Sequence, residues 1–125
     1  MLEERRRLWE SSLKRIKEWV KELVGELKKN GIEVEKVILF GSYARGDFSE
    51  GSDVDLIVVS SDWAKMEPLE RLKILYRIWN KPIDANFLAY TPEEFKRKVN
   101  ESVVLMDASK YWKVIYERES RTKES

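Results

Sequence analysis

The sequence predicts an α/β (α+β) fold in which a small mixed β-sheet of three to four strands is covered by helices. Two observations support this prediction. One long segment has helical apolar spacing, and three short apolar runs are joined first by a polar turn and then by a second helical segment. With 125 residues, of which 42% are hydrophobic, the chain has the size of one domain with one core.

Residues 2–29 form the first predicted element, a long amphipathic helix that ends at an Asn-Gly pair. Its apolar side chains recur every three or four residues, at Trp9, Leu13, Ile16, Val20, Leu23 and Leu27. Such a stripe is typical of a helix that covers one face of a sheet. The alternative is that the part around Leu8, Trp9 and Trp19 packs against a second chain, which would make the protein a homo-oligomer.

Three runs, at residues 34–40, 54–59 and 83–89, are predicted strands. The first two are rich in β-branched and other apolar residues, as expected of strands that are buried on both faces. The third run alternates between apolar and polar residues, which places Asp84 and Asn86 together on its polar face.

The connections between these runs predict the topology of the sheet. The first two strands must be antiparallel neighbours if the end of one and the start of the other face a common site. A helix at residues 66–79 crosses over between the second and third strands, so those two should be parallel. Thr91 is a predicted cap for a helix at residues 92–99. Residues 102–109 are a further helical segment, and residues 112–116 are a short edge strand.

Residues 1–118 are expected to form a single domain, with the N-terminal helix in residues 1–30 and the core in residues 34–117. Residues 119–125 are predicted to be a disordered polar tail. The N-terminus lacks the apolar stretch of a signal peptide, and no apolar run in the chain exceeds four residues. We therefore expect a cytoplasmic protein that has no membrane partner.

The composition limits the chemistry, because the chain contains neither histidine nor cysteine. Imidazole bases, thiolate nucleophiles, zinc–thiolate sites and disulfides are excluded, so carboxylates, hydroxyls and backbone amides remain. The net charge of +1 conceals an acidic middle, since residues 31–95 carry twelve acids against seven bases. Either this is ordinary surface variation or the acids converge on a cation.

A pair of aspartates favours the second interpretation. Asp53 and Asp55 open the second strand and are two residues apart, so their side chains leave the same face. Two adjacent carboxylates repel each other unless a cation lies between them or one takes up a proton. Oxygen ligands without histidine or cysteine favour Mg²⁺ or Mn²⁺. The sequence therefore predicts a magnesium site.

Gly41 and Ser42, directly after the first strand, are the predicted complement of this metal site. Gly41 has no Cβ and lets the backbone approach a ligand closely, and a helical turn beginning at Ser42 would offer free amides to an anion. Arg45 is the nearest fixed cation. It would either contact phosphate groups or pair with Asp47 or Asp53.

Asp84 is the predicted third carboxylate of the site. If the second and third strands are parallel, the start of the third strand lies at the same edge of the sheet as Asp53 and Asp55. The alternative is that Asp84 is only a turn residue after Pro82.

The block at residues 41–56 reads Gly-Ser-Tyr-Ala-Arg-Gly-Asp-Phe-Ser-Glu-Gly-Ser-Asp-Val-Asp-Leu. It resembles the signature of the nucleotidyltransferase superfamily that includes DNA polymerase β, in which Gly-Ser is followed by Asp-x-Asp and then by a separate strand aspartate. The block is most similar to the minimal nucleotidyltransferases, the small partners of HEPN-domain proteins in toxin–antitoxin pairs. The resemblance covers residues 30–117 and implies a polymerase β palm-like fold.

The resemblance also implies a role for each site residue. Gly41 and Ser42 would hold a nucleoside triphosphate, and Asp53 and Asp55 would ligate the metal ions. Asp84 would complete the metal site and help to deprotonate an acceptor hydroxyl. The donor would be ATP, and AMP would be transferred to a tyrosine of a HEPN toxin.

The acceptor is expected in trans, because the sheet and its helices use nearly all of the chain. A nucleic-acid partner is not expected, since the bases at residues 5–7 and 96–98 are better explained as solvated helix faces. The alternative to catalysis is a nucleotide-binding antitoxin module that neutralises its partner by docking.

Overall fold

The computed structural model describes residues 2–102, 105–106 and 109–119. The predicted tail from residue 120 onward and part of the predicted helical segment at residues 102–109 lie outside these ranges. The described elements are α1 (Leu2–Lys29), β1 (Lys36–Phe40), α2 (Gly41–Arg45), β2 (Val54–Val59), α3 (Pro68–Ile78), β3 (Ala85–Tyr90), α4 (Pro92–Glu101) and β4 (Lys113–Glu117), with 3₁₀ turns at Ser61–Lys65 and Ser109–Tyr111.

The four strands form one mixed sheet in the order β3-β2-β1-β4. Strands β1 and β2 are antiparallel, with Phe40 opposite Asp55, and β4 is antiparallel to β1. Strands β2 and β3 are parallel, with Val54 opposite Ala85. The predicted α+β class and mixed sheet are therefore confirmed. The end of β1 and the starts of β2 and β3 meet at one edge of the sheet.

Alternation along the strands creates two faces that are covered differently. One face carries the main core and packs against α1, whose buried residues are Ile16, Val20, Leu23, Val24 and Leu27. The other face carries a smaller apolar cluster of Ile38, Ile57 and Val59, against which Phe95 and Trp112 pack. Asp55 belongs to this second face, because it alternates with Val54 and Leu56 of the main core.

Strand β3 is an outer strand, and side chains of α3 satisfy its free edge. The Tyr76 hydroxyl accepts a hydrogen bond from the Phe87 amide at 3.1 Å, and Arg71 Nη1 donates to the Ala89 carbonyl at 3.1 Å. The buried Arg71 guanidinium also pairs with Glu94 of α4 at 2.6 Å. Helices α3 and α4 are thereby fixed to β3, and the edge of this strand is covered.

The start of α4 follows the predicted cap. The Thr91 hydroxyl accepts from the Glu94 amide at 3.1 Å, and the Glu94 carboxylate accepts from the Thr91 amide at 3.0 Å. The strand boundaries differ slightly from prediction, since β1 begins at Lys36 and β3 begins at Ala85. In the described part of the chain, no helix is both long enough and apolar enough to cross a membrane.

Replacing Arg71 by methionine should destabilise the fold by about 3 kcal/mol, because Glu94 and the Ala89 carbonyl would lose a buried partner. Urea unfolding measures this loss, and Lys73→Met, an exposed change on the same helix, is the control. Arg71 lowers the pKa of Glu94 in the folded protein. The ion pair therefore contributes fully to the free energy of unfolding above the pKa that Glu94 has in the unfolded chain. This contribution is lost as the pH falls through the lowered pKa of the folded state. The difference between wild type and Arg71→Met should therefore shrink in acid, and an unchanged difference would contradict this assignment.

Candidate active site

The Gly-Ser turn is pressed directly against one of the two predicted aspartates. Strand β1 ends at Phe40, and Gly41 opens α2 with a φ of +74°, a conformation that residues with a Cβ rarely adopt. A Cβ added to Gly41 would lie 2.0 Å from Asp55 Oδ2, so a side chain does not fit there. The backbone of the turn and the Asp55 carboxylate therefore form one packed unit.

Helix α2 continues this turn as a short, well-anchored element. Tyr43 and Ala44 are buried, whereas Ser42 is half-buried. The Ser42 carbonyl accepts from the amides of Gly46 at 2.8 Å and Asp47 at 3.2 Å, which ends the helix. The Gly-Ser turn is thus presented at the edge of the sheet beside the start of β2.

Asp53 and Asp55 are brought together as predicted, and an amide lies against both. Asn86 Nδ2 donates to Asp53 Oδ2 at 3.3 Å and to Asp55 Oδ1 at 3.0 Å. The parallel register of β2 and β3 produces this contact, because it places Asn86 directly opposite Asp55. Strand pairing thereby assembles a site of two carboxylates and one amide.

The charge of this pair is only partly compensated. Burial raises the pKa of Asp55, and the neighbouring Asp53 charge raises it further, whereas the hydrogen bond from Asn86 and the charge of Arg45 lower it. A carboxylate whose ionised form is disfavoured in this way gains most from an added positive charge. The electrostatics of the pair therefore favour a bound cation.

Arg45 lies on the exposed side of α2. Its Nε donates to Asp47 Oδ2 at 3.1 Å, and both side chains are largely exposed. Of the alternatives that the sequence left open, the structure shows the ion pair with Asp47. Its charge also acts on Asp55.

Asp84 lies near the pair but does not join it. It precedes β3, its carbonyl accepts from the Val54 amide at 2.9 Å, and its exposed side chain lines a cavity of about 650 Å³ that Asp53 also lines. Among the residues that the structure describes, no three acidic, histidine or cysteine side chains are grouped so that they could hold a metal ion. The predicted cluster of Asp53, Asp55 and Asp84 is therefore not formed, because the strand register places Asn86 beside Asp55.

The chemistry of the donor set nevertheless fits a divalent cation such as Mg²⁺ or Mn²⁺. Mg²⁺ is commonly held by one or two protein carboxylates together with phosphate groups of a substrate, and it needs no complete protein cage. Asp53 and Asp55 can supply those carboxylate oxygens. The Asn86 side chain can add a neutral oxygen ligand if its amide flips by 180°, because the flip exchanges the positions of the amide nitrogen and oxygen.

The N-terminal half of α1 holds the loop that follows the Gly-Ser turn. Trp9 Nε1 donates to the Tyr43 carbonyl at 2.7 Å, and the Trp9 ring packs against Gly46, where an added Cβ would come within 3.1 Å of it. Arg5 Nη2 donates to the carbonyls of Gly46 at 3.1 Å and Phe48 at 3.2 Å. We refer to Arg5 and Trp9 as the loop clamp.

Sequence reasoning missed both the loop clamp and Asn86. Apolar spacing assigned Trp9 to the stripe of α1, with a second chain as the alternative, but Trp9 packs within its own chain. Arg5 lies off that stripe and was assigned with residues 6 and 7 to a solvated helix face, whereas its guanidinium donates to two carbonyls of the loop. Asn86 did carry one, because strand alternation placed it on the same face as Asp84.

The fold and the site together define a class of protein. A strand that runs into a glycine turn, packed on paired carboxylates at the edge of a mixed sheet, is suited to metal-dependent transfer of a phosphate-containing group. Comparison with known families identifies the transfer class. The nucleotidyltransferase domain model matches residues 17–122, and the chain belongs to this family.

Individual relatives are similar to this chain along much of their length. A protein of Methanocaldococcus jannaschii named as a candidate protein adenylyltransferase is 36% identical over 87 residues, which are 66% of this chain and 81% of the relative. A second such protein of the same organism is 32% identical over 98 residues, covering 74% of this chain and 65% of the relative. The crystal structure of a candidate nucleotidyltransferase from Sulfolobus solfataricus superposes with a TM-score of 0.63 at 24% identity, covering 90% of this chain and 89% of the other, and supports the fold.

Replacing Gly41 by alanine should destabilise the protein by about 1 to 2 kcal/mol through its positive φ, and should also displace the Asp55 carboxylate. Thermal unfolding measures the first effect. Loss of stabilisation by Mg²⁺ with a non-hydrolysable ATP analogue measures the second.

Gly25→Ala is the matched control for Gly41→Ala. Gly25 lies within α1 with nothing within 4 Å of an added Cβ, so this change should stabilise the protein by about 0.5 to 1 kcal/mol. If Gly41→Ala stabilised the protein as the control does, the close contact between the turn and Asp55 would be contradicted.

Replacing Asp55 by asparagine should raise the melting temperature at neutral pH in the absence of metal. Because the pKa of Asp55 is raised, the folded state keeps its proton at pH values where the unfolded chain has lost it, and stability falls as the pH rises through that window. The substitution removes this dependence, which melting curves over a pH series can detect. Asp47→Asn, which removes an exposed carboxylate paired with Arg45, is the control and should not raise the melting temperature at neutral pH. A lower melting temperature for Asp55→Asn would contradict the prediction.

Proposed function

We propose that this protein is a Mg²⁺-dependent nucleotidyltransferase that transfers AMP from ATP to a hydroxyl group of a partner protein. The observation that carries the proposal is the packing of the Gly41 backbone onto Asp55, because the turn that we propose to bind phosphate lies beside the paired carboxylates. Family membership supports the reaction class. The names of the M. jannaschii relatives support AMP as the transferred group and a protein as the acceptor.

In this proposal each group of the site has one task. Gly41 and Ser42 bind the triphosphate through backbone amides, with Arg45 as the nearby cation. Asp53 and Asp55 hold the divalent cation, which would neutralise phosphate charge when bound. An acceptor oxygen attacks the α-phosphorus, the bond from that phosphorus to the bridging oxygen breaks, and pyrophosphate leaves.

The acceptor that we propose is a HEPN-domain toxin in the cytoplasm, with AMP transferred to one of its tyrosines. The motif block supports this assignment through its similarity to the minimal nucleotidyltransferases. The described residues belong almost entirely to the sheet and its covering helices, so they include no separate domain that could bind an acceptor. The protein would then act as the antitoxin of the pair.

A second candidate function is neutralisation by docking, with nucleotide binding but without transfer. Asn86 is the specific observation that favours it, because a neutral amide, and not the expected Asp84 carboxylate, contacts Asp53 and Asp55. Both candidates use the same nucleotide site and differ only in whether a covalent bond to the partner forms.

Labelled ATP distinguishes the two candidates. Wild-type protein, Mg²⁺ and a HEPN-domain partner, chosen as the product of the adjacent gene, should yield labelled partner and released pyrophosphate. Asp53→Asn combined with Asp55→Asn should reduce labelling by at least about 100-fold, since the charge that holds the metal is lost. Asp47→Asn, which also removes one acidic charge from this region, should label normally.

Neutralisation of the toxin is scored in the same reactions. If the double variant neutralised the partner as fully as wild type without any labelling, docking would replace transfer as the function.

A further inference from the structure

We infer that Asn86 is the third member of the metal site, and that it lowers the metal affinity of the site below that of a three-carboxylate site. Its amide nitrogen bridges the two carboxylates in the structure, and its amide oxygen would supply a neutral ligand to a bound cation. This inference rests on the proposed function and deepens it, because it names the residue that sets the metal requirement.

The first support is the rigid position of Asn86. On one side the Asp84 carbonyl accepts from the Val54 amide, and on the other the Phe87 amide donates to Tyr76. The backbone on both sides of Asn86 is thus tied to β2 and α3. Strand pairing therefore holds the Asn86 backbone opposite Asp55, and rotation about the side-chain torsions, including a 180° flip of the amide, is the movement left to the exposed side chain.

The second support is the chemistry of the amide. An ionised carboxylate only accepts hydrogen bonds, whereas the amide has a donating nitrogen and an accepting oxygen. Nitrogen contacts of 3.3 and 3.0 Å satisfy one oxygen each of Asp53 and Asp55 without a cation. An aspartate at the same position would instead add a third negative charge next to two others.

These properties have opposite effects on the two states of the site. The amide stabilises the metal-free site, because it bridges two charges that repel each other. Compared with a carboxylate at residue 86, it gives weaker metal binding, because that bridge must be broken and the oxygen that replaces it is neutral. Wild-type protein should therefore bind the metal mainly together with the nucleotide, whose phosphates supply the missing negative charge.

The amide also affects the transfer step. An acceptor hydroxyl must lose its proton as its oxygen bonds to phosphorus, and an amide does not take up that proton. Among the side chains seen to contact Asp53 and Asp55, no further carboxylate is present in the described structure. Asn86 therefore does not act as a general base for the acceptor, and transfer is slower than it would be with a carboxylate at residue 86.

Three proteins test the inference: Asn86→Asp, Asn86→Ala and the control Asn80→Asp, which adds the same charge at an exposed loop position lining a different cavity. Mn²⁺ binding is measured by calorimetry and by electron paramagnetic resonance, without nucleotide and with a non-hydrolysable ATP analogue. Melting temperatures without metal are measured in parallel, and labelling of the partner gives the transfer rate.

Asn86→Asp should bind Mn²⁺ about 10-fold more tightly without nucleotide, melt at a lower temperature without metal, and transfer AMP faster. Asn86→Ala should also melt lower, and should bind the metal about 10-fold more weakly in the presence of the analogue. Asn80→Asp should match wild type in each measurement. Unchanged Mn²⁺ binding in both Asn86 variants would overturn the inference.

The outcomes separate the inference from the proposed function. If wild type binds Mn²⁺ with the analogue and labels the partner while the Asn86 variants behave identically, the inference fails and the proposed function stands. If wild type neither binds Mn²⁺ nor labels the partner but Asn86→Asp binds Mn²⁺, the inference holds and the transfer function of wild type fails. If no variant binds Mn²⁺ with the analogue, both fail.

Discussion

The contact between the Gly41 backbone and the Asp55 carboxylate is the constraint on which the rest of the site depends. It exists because β1 and β2 are antiparallel with Phe40 opposite Asp55, so the residue after the strand must turn directly over that carboxylate. Only a residue without a Cβ can make this turn, both because its φ is positive and because the space is taken. Helix α2, the position of Ser42 and the path of the following loop all follow from this turn.

Two separate sets of contacts stabilise the elements that carry the site. The loop clamp of Arg5 and Trp9 binds the carbonyls that follow the turn, so that α1 fixes the loop as well as covering the core. In the second set, Arg71 ties α3 and α4 to the outer strand β3, which carries the amide of the site. A site with unbalanced charge needs this support, because its carboxylates would otherwise move apart or take up a proton.

Periodicity and turn chemistry were sufficient to predict the fold class, the strand order of the first three strands and the Thr91 cap, because these depend on local patterns. Asp53 and Asp55 come together as expected, since both lie on one short strand. Asn86 could not be singled out, because its register with Asp55 is set by how the crossover helix packs, and the third strand begins two residues later than predicted. The contacts of the loop clamp could not be predicted either. Trp9 donates to a carbonyl 34 residues away in the chain, and apolar spacing predicts burial of a side chain without identifying its partner. The single-domain boundaries and the roles of the site residues stay predictions.

A neutral amide, rather than a third carboxylate, contacts Asp53 and Asp55, and this bears on both proposed functions, transfer and docking. Transfer needs a cation that neutralises phosphate charge, and docking needs only a stable surface around an occupied or empty site. An amide that satisfies Asp53 and Asp55 makes the empty site stable, while leaving both carboxylates in place for a cation that arrives with its nucleotide. In the proposed function, the protein would remain folded without metal. Covalent transfer would then be coupled to nucleotide binding, because the phosphates would complete the charge that the amide lacks.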